Sequence, residues 1–449
     1  MKNVKDVYRD FYTVDDAINF DFATVKNLQE TYSNKLKVAL SGGKYFKTAD
    51  NASFIDHAGN KHVDMMGAVG VMTVGNNNPF IWEQIEKVFK AKNYMMGAIS
   101  YHNVAAAFYR NLALTTPGQK LTKAQIAGGG AEAIEGAIKL CMIANRGKPE
   151  KTKLLATLNA FHGKTSGAVS VGGKDTWQAY QGRLLLNQIT HIPFNDVEAL
   201  KKELSSGIYQ GFVVEPIQGE GGVHVATNEF MRTAREYCDQ YGTIFVADEI
   251  QTGCCRTGKF WASEWSGVIP DVITFGKGIS GGLIPLAGYI AKAEIYDAAY
   301  GTPETAFHHT ATYQGNAIAC AAGIAAIQYM IENDLCSAAL EKGKIIQDAM
   351  LAAQKKYPGI IKEARGRGCL IGVEFEPVKD SLKEKYGENW AMECERYFSE
   401  EFRIQIMHSF NNPKVFRWLP PLTAPQADIG YAINAFNKSV EHVYQLAQG

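Results

Sequence analysis

The stretch IFVADEIQTG (residues 244–253) decides the fold. Its apolar run carries no polar alternation, so it reads as a strand covered on both faces, and it closes on an acid, Asp248. The next such run, in VITFGKGISGG (272–282), leads into Lys277 among glycines. Working outward, KLLATLN (153–159), GFVVEPI (211–217), TIFVADE (243–249), DVITFG (271–276) and LAGYIA (286–291) read as strands. Between two of them lies NEFMRTAREYCDQYG (228–242), with Phe230, Ala234, Tyr237, Cys238 and Tyr241 on one helical face and Gly242 as its stop. Strands alternating with helices predict a mostly parallel α/β sheet from about residue 70 to 330.

The flanks differ. Helix-period segments at 316–331 and 336–356, a strand in GCLIGVEFEP (368–377) and a final helix at 426–447 predict a smaller α+β domain. The expected organisation is an N-terminal arm with part of the small domain (1–69), a large cofactor-binding α/β domain (70–330) and a C-terminal small domain (331–449).

Composition limits the function classes. Of 449 residues, 46% are hydrophobic and 20% charged, the balance of a soluble enzyme. Basic and acidic residues number 46 each with no basic stripe, which argues against nucleic acid or an anionic membrane as partner. The opening MKNVKDVYRDFYTVDDAINF lacks the apolar core of a signal peptide, and no apolar run reaches the roughly 18 residues of a membrane helix. Eight cysteines include no CxxC pair, so no zinc cluster is expected, and free thiols fit the cytoplasm.

Residues just beyond the carboxyl ends of strands line the ligand crevice of an open α/β sheet, so Asp248 and Lys277 are expected to face one crevice. A desolvated lysine is a usable amine, and a carboxylate can keep a pyridine nitrogen protonated. Pyridoxal phosphate needs both parts. On these two residues alone, a structural Asp–Lys ion pair is the alternative. IAGGGAEAIEGAIKL (126–140) is a glycine run entering a helix, whose free N–H groups suit a phosphate, though glycine also serves simple turns. NAFHGKTSGA (159–168) offers Phe161 and His162 as a lid over a ring.

With these segments in hand, FVADEIQTGCCRTGKFWASE, ITFGKGISGG, NAFHGKTSGAVS, EPIQGEGGV and TYQGNAIACAAG resemble, in order, the class III (subgroup II) pyridoxal-phosphate aminotransferases. The resemblance runs from about residue 30 to the end. It implies the large-domain and small-domain architecture of fold type I and a homodimer or dimer of dimers. It also implies roles: Lys277 as the imine-forming lysine, Asp248 as partner of the pyridine nitrogen, and Gln251 beside the phenolic oxygen. Gly130 and Ala131 would supply backbone contacts to the phosphate. Phe161 would stack on the ring with His162 beside it, and Thr312 would reach the neighbouring subunit's phosphate. Two departures stand out: Gly128 and Gly129 replace an Asn-Ser pair, and Cys254-Cys255 replace an apolar residue and glycine. A packed-core role is expected for the cysteines.

Substrate choice rests on two features. Glu220 and Arg417 match the family's gate pair, in which the arginine, once released, grips a keto acid's carboxylate; a fixed structural salt bridge is the alternative. Lys164 stands where ornithine and acetylornithine members usually carry arginine, and lysine lacks the planar fork that clamps an α-carboxylate. Putrescine aminotransferases share AFHGK and resemble NNPK…LPPLT. The expectation is an ω-aminotransferase that takes a diamine such as putrescine and passes its amino group to a keto acid such as 2-oxoglutarate. An acetylornithine or ornithine enzyme is the first alternative. A racemase or aminomutase on the same scaffold, or a non-catalytic binding protein, is a more distant one.

Overall fold

The computed structural model describes residues 11–34, 44–174, 176, 178–179, 188–376 and 391–448. Parts of the expected N-terminal arm (1–10 and 35–43) and Pro377, the end of one expected strand, lie outside the described residues. A small compact unit is drawn from residues before 50 and from 53–62. It holds helices Val14–Ile18 and Phe22–Tyr32, whose first turns are capped by Thr13 and Asp21. A second unit comprises residues 50–52 and 63 onward, and contains everything described below.

Its centre is a seven-stranded sheet: β1 (Lys123–Ala127), β2 (Lys153–Thr157), β3 (Ile189–Ile192), β4 (Tyr209–Val214), β5 (Ile244–Asp248), β6 (Val272–Phe275) and β7 (Ala287–Ala291). The spatial order is β1-β7-β6-β5-β4-β2-β3. Only β7 runs against its neighbours. The five strands expected from sequence all form, shortened by a residue or two. The run at 211–217 starts earlier and stops at Val214, because Pro216 has no N–H to donate to a neighbouring strand. Burial on both faces explains the unbroken apolar runs. In β5, Ile244 and Val246 join one core cluster while Phe245 joins another, and all three are fully or almost fully buried.

Helix α1 (Gly130–Ala144) follows β1 directly, so its N-terminus sits at a strand's carboxyl end. Helix α2 (Asn228–Tyr241) buries Phe230, Ala234 and Cys238, and Gly242 closes it at φ 62°. The C-terminal part begins with two helices, α3 (Ala317–Glu332) and α4 (Leu335–Lys356). An antiparallel sheet follows, with β8 (Ile361–Arg367), β9 (Leu370–Phe375), β10 (Met407–His408) and β11 (Val415–Trp418) in the order β8-β9-β11-β10. Helix α5 (Gln426–Gln448) packs on it through Phe436 against Trp418. Gly372 of β9 allows a close approach: a Cβ there would lie 2.8 Å from that of Val223. Val223 belongs to the loop of the hairpin Ile217–Gln218/His224–Val225 that also carries Glu220. Gly372 pairs with Arg417 across the sheet, so this approach brings Arg417 to Glu220.

Candidate active site

Five strand ends and turns converge on a cavity of about 220 Å³ lined by Gly130, Ala131, Phe161, His162, Gly163, Glu215, Glu220, Asp248, Ile250, Gln251, Thr252 and Lys277. Eight residues singled out in the sequence line this one space. Of the other three, Arg417 touches its wall through Glu220. Lys164 is exposed, its ammonium 5.4 Å from the centre of the Phe410 ring. Thr312 sits on an exposed turn outside this chain's cavity.

Asp248 ends β5 and is 4% exposed. A buried carboxylate is costly unless it is fully bonded. Here Thr274 Oγ1 (2.9 Å) and the Ile250 N–H (3.1 Å) donate to Oδ1, and His162 Nδ1 lies 2.6 Å from Oδ2. Among the described residues the ion pair of Asp248 is therefore with His162, and the Asp248–Lys277 bridge considered from sequence is not formed. Burial pulls His162 down, but Asp248, with a smaller push from Glu215, outweighs it, and the net shift is upward.

Lys277 follows β6 through an extended Gly276 and adopts φ 47°, a left-handed conformation rare outside glycine. Burial lowers its pKa to about 8; Glu220 opposes that shift and Arg417 adds to it. The amine is thus far more often neutral than that of a surface lysine. A buried lysine with a lowered pKa is the kind of amine that imine chemistry requires.

Sequence reasoning passed over Glu215. It ends the β4 run just before Pro216, the same strand-end position as Asp248, and that position was the available signal. Its carboxylate accepts from the N–H of Phe161 (3.1 Å) and of Gly219 (3.3 Å). Burial pushes it up to about 7; His162 opposes and Asp248 adds. Thr274, Ile250 and Thr252 were also missed, hidden inside apolar or motif segments. At the mouth, Phe410 donates its N–H to Glu220 Oε2 (3.0 Å), and Asn411 donates its N–H to the Glu220 carbonyl (3.0 Å).

Glu220 and Arg417 form the ion pair that both the gate and the fixed-bridge readings require. Arg417 Nη1 donates to Glu220 Oε1 at 2.5 Å, with Arg417 1% and Glu220 3% exposed. Arg417 Nη2 also reaches the His408 carbonyl (3.3 Å). Cys254 and Cys255 are buried in the core, as expected.

The cavity suits pyridoxal phosphate. His162 Nε2 and Gln251 Oε1 are buried without a hydrogen-bond partner, which leaves polar capacity aimed into the space. Gln251 reaches it because residue 219 is glycine; a Cβ there would overlap the Gln251 amide. At the head of α1, Glu132 accepts from the N–H groups of Gly128 (2.8 Å) and Gly129 (3.2 Å). The N–H groups of Gly130 and Ala131 belong to the first turn, where no intrahelical acceptor exists, and both residues line the cavity.

A mostly parallel sheet with a lysine and an acid at adjacent strand ends defines the fold type I aminotransferases. The class III aminotransferase family model matches residues 42–440, and the chain belongs to that family of pyridoxal-phosphate enzymes. It is 51% identical over 426 residues to an uncharacterized aminotransferase of Schizosaccharomyces pombe, covering 95% of this chain and 88% of that protein. Among solved structures it is similar to the ornithine aminotransferase of Toxoplasma gondii (25% identity, TM-score 0.84, 99% of this chain and 100% of the other). The acetylornithine aminotransferase of Elizabethkingia anophelis shares the fold at 24% identity (TM-score 0.77, 94% and 100% covered).

Proposed function

We propose that this aminotransferase is an ω-aminotransferase. It takes its amino group from a terminal amine, a diamine such as putrescine before others, and gives it to a keto acid such as 2-oxoglutarate in a ping-pong cycle. It works in the cytoplasm as a homodimer or dimer of dimers, in which Thr312 reaches the neighbouring site. The observation that carries the donor choice is the closed Glu220–Arg417 pair, because a masked arginine suits a donor with no carboxylate to hold. Lys164, a point charge beside Phe410, supports the same choice.

Lys277 and Asp248 would hold pyridoxal phosphate at its aldehyde and ring nitrogen, Gln251 its phenolic oxygen, Phe161 its ring face, and Gly130 and Ala131 its phosphate. When bound, that group supplies a carbonyl that condenses with amines and a ring that accepts an electron pair. Lys277, neutral for a good fraction of the time near pH 8, would be the base that takes the proton from the donor carbon and the acid that later gives it back. Asp248 would be the carboxylate partner of the ring nitrogen, and His162, 2.6 Å away, fixes that carboxylate's direction. Glu215 anchors the backbone of Phe161 and of Gly219, so the stacking ring and the gate loop share one support. Arg417 binds the acceptor's carboxylate once Glu220 swings away.

An ornithine-type donor is the second reading, supported by the likeness to the Toxoplasma gondii enzyme. The test is a panel of putrescine, cadaverine, ornithine, acetylornithine, 4-aminobutyrate and β-alanine, each with 2-oxoglutarate and pyruvate. The proposal expects kcat/KM for putrescine to exceed that for ornithine and acetylornithine by tenfold or more. Preference for either α-amino acid would overturn it.

A further inference from the structure

Outside the pocket, one pair of side chains has an arrangement that packing does not require. Cys255 and Cys336 lie 81 positions apart in sequence, and their sulfurs are 2.8 Å apart, with the Cys336 thiol directed at Cys255 Sγ. A disulfide needs about 2.05 Å, so the sulfurs already stand within about 1 Å of bonding distance. The backbone of Cys255 is left-handed (φ 65°), a conformation suited to glycine, yet a cysteine stands there and points at another. Both cysteines line a groove of about 620 Å³ with Thr115, Phe260, Ile327 and Asp334, but Cys255 is 1% exposed whereas Cys336 is partly exposed. One thiol is therefore reachable and its neighbour is shielded. The other six cysteines are buried.

We propose that Cys255 and Cys336 are a thiol–disulfide exchange site for low-molecular-weight disulfides of the glutathione type, with Cys336 as the attacking thiol and Cys255 as the resolving one. Cys336 is the second residue of the 22-residue helix α4, where the N-terminal end of the helix favours a thiolate. The contact with Cys255 lowers its pKa, against burial and the acids Glu264 and Asp334 and with help from Lys259. In the first step the Cys336 thiolate attacks one sulfur of the small disulfide, forming a mixed disulfide and expelling one thiolate, which takes up a proton. Cys255 then gives up its proton and attacks the Cys336 sulfur, and the second small thiol leaves. The protein dithiol loses two electrons and two protons, and the small disulfide becomes two thiols.

The bond would tie the start of α4 to the turn that continues from Asp248 and Gln251. Cys254, next in the chain, lies against Gly278, the residue after Lys277: a Cβ on Gly278 would sit 3.1 Å from that of Cys254. The exchange site is therefore joined to the pocket through two adjacent residues on each side.

The test uses the full chain loaded with cofactor, equilibrated under native conditions against buffers of rising oxidised-to-reduced glutathione ratio. Samples are acid-quenched, alkylated, digested and read by mass spectrometry. The expected result is a single cross-linked peptide joining Cys255 to Cys336, with the count of free thiols falling from eight to six. Cys255→Ser should stop at one glutathione adduct per chain, on Cys336, and Cys336→Ser should leave Cys255 unmodified. Cys255→Ala and Cys336→Ala repeat the comparison if a serine variant melts early. A count that stays at eight, or a first adduct on any cysteine other than Cys336, overturns the proposal; the wild-type measurement alone decides between these outcomes.

Discussion

The floor and the mouth of the cavity are built on different principles. On the floor, Asp248, Glu215 and Lys277 sit at the ends of neighbouring strands of one sheet, so the backbone ladder fixes their spacing. At the mouth, Glu220 sits in a hairpin loop and Arg417 on a separate sheet, 197 positions apart in sequence. Asp248 and Glu215 on the floor are held by hydrogen bonds from their own strand ends and loops, whereas Glu220 and Arg417 hold each other across two sheets. The floor therefore suits chemistry common to every substrate. The mouth, one ion pair between separate elements, would suit a choice between two substrates of different charge if that pair opens.

The contrast breaks most plainly at Lys277. Lys277→Ala is expected to cost several orders of magnitude in turnover and to abolish the visible absorbance of bound cofactor, since covalent catalysis has no substitute there. A residual rate above about one hundredth of wild type would remove it from the floor's chemistry. Asp248→Asn should retain cofactor yet lose about 10²–10³-fold in rate, the usual loss when a preorganised electrostatic partner is removed. Near-normal turnover in that variant would make the acid merely structural.

The mouth should respond unevenly instead. Arg417→Ala removes a charge-assisted contact of about 1.5–3 kcal/mol, or roughly ten- to a hundredfold in the half-reaction with the keto acid. The amine half-reaction should change little, and Glu220→Ala should do the opposite by exposing a cation to a cationic donor. Stopped-flow rates for both half-reactions check this; equal losses in both, for both variants, would make the pair a fixed bridge. The smallest effect concerns pH. The Lys277 amine is charged below its pKa and neutral above it, so cofactor capture by the apo chain should rise about tenfold from pH 7 to 9, with a midpoint near 8. A midpoint near 10.4 would mean that burial does not tune this lysine.

How much was legible follows the same division. Asp248 and Lys277 could be read because each ends an apolar run, and a strand's carboxyl end is where ligands bind. Glu215 obeys that rule too, but the proline after it blurred the strand's end. Strand β8, IKEARGR, was missed because its polarity hides a strand: Arg365 turns inward to bond the Gly222 carbonyl (2.9 Å) and is only 9% exposed. The meeting of Glu220 with Arg417 has no local signature at all. Only the motif order suggested it, since the contact depends on how two sheets pack. Lys164 shows the limit of motif reading: it stands by the mouth, and its ammonium lies over the Phe410 ring.

The order of strands has a consequence for the chain as it leaves the ribosome. Strand β1 leads into the glycine turn at the cavity, and among the described strands its one ladder partner is β7, with Ala127 opposite Ala287. At about 5–20 residues per second, roughly 10–30 s of translation separate the two. During that interval β1 has an unpaired edge, and the glycine turn has no cavity to face. Arg417 is synthesised later still, so the gate is the last part of the site to assemble. A nascent chain of this kind is a natural client for holding chaperones, and shortening the 160-residue wait by circular permutation should hasten its maturation.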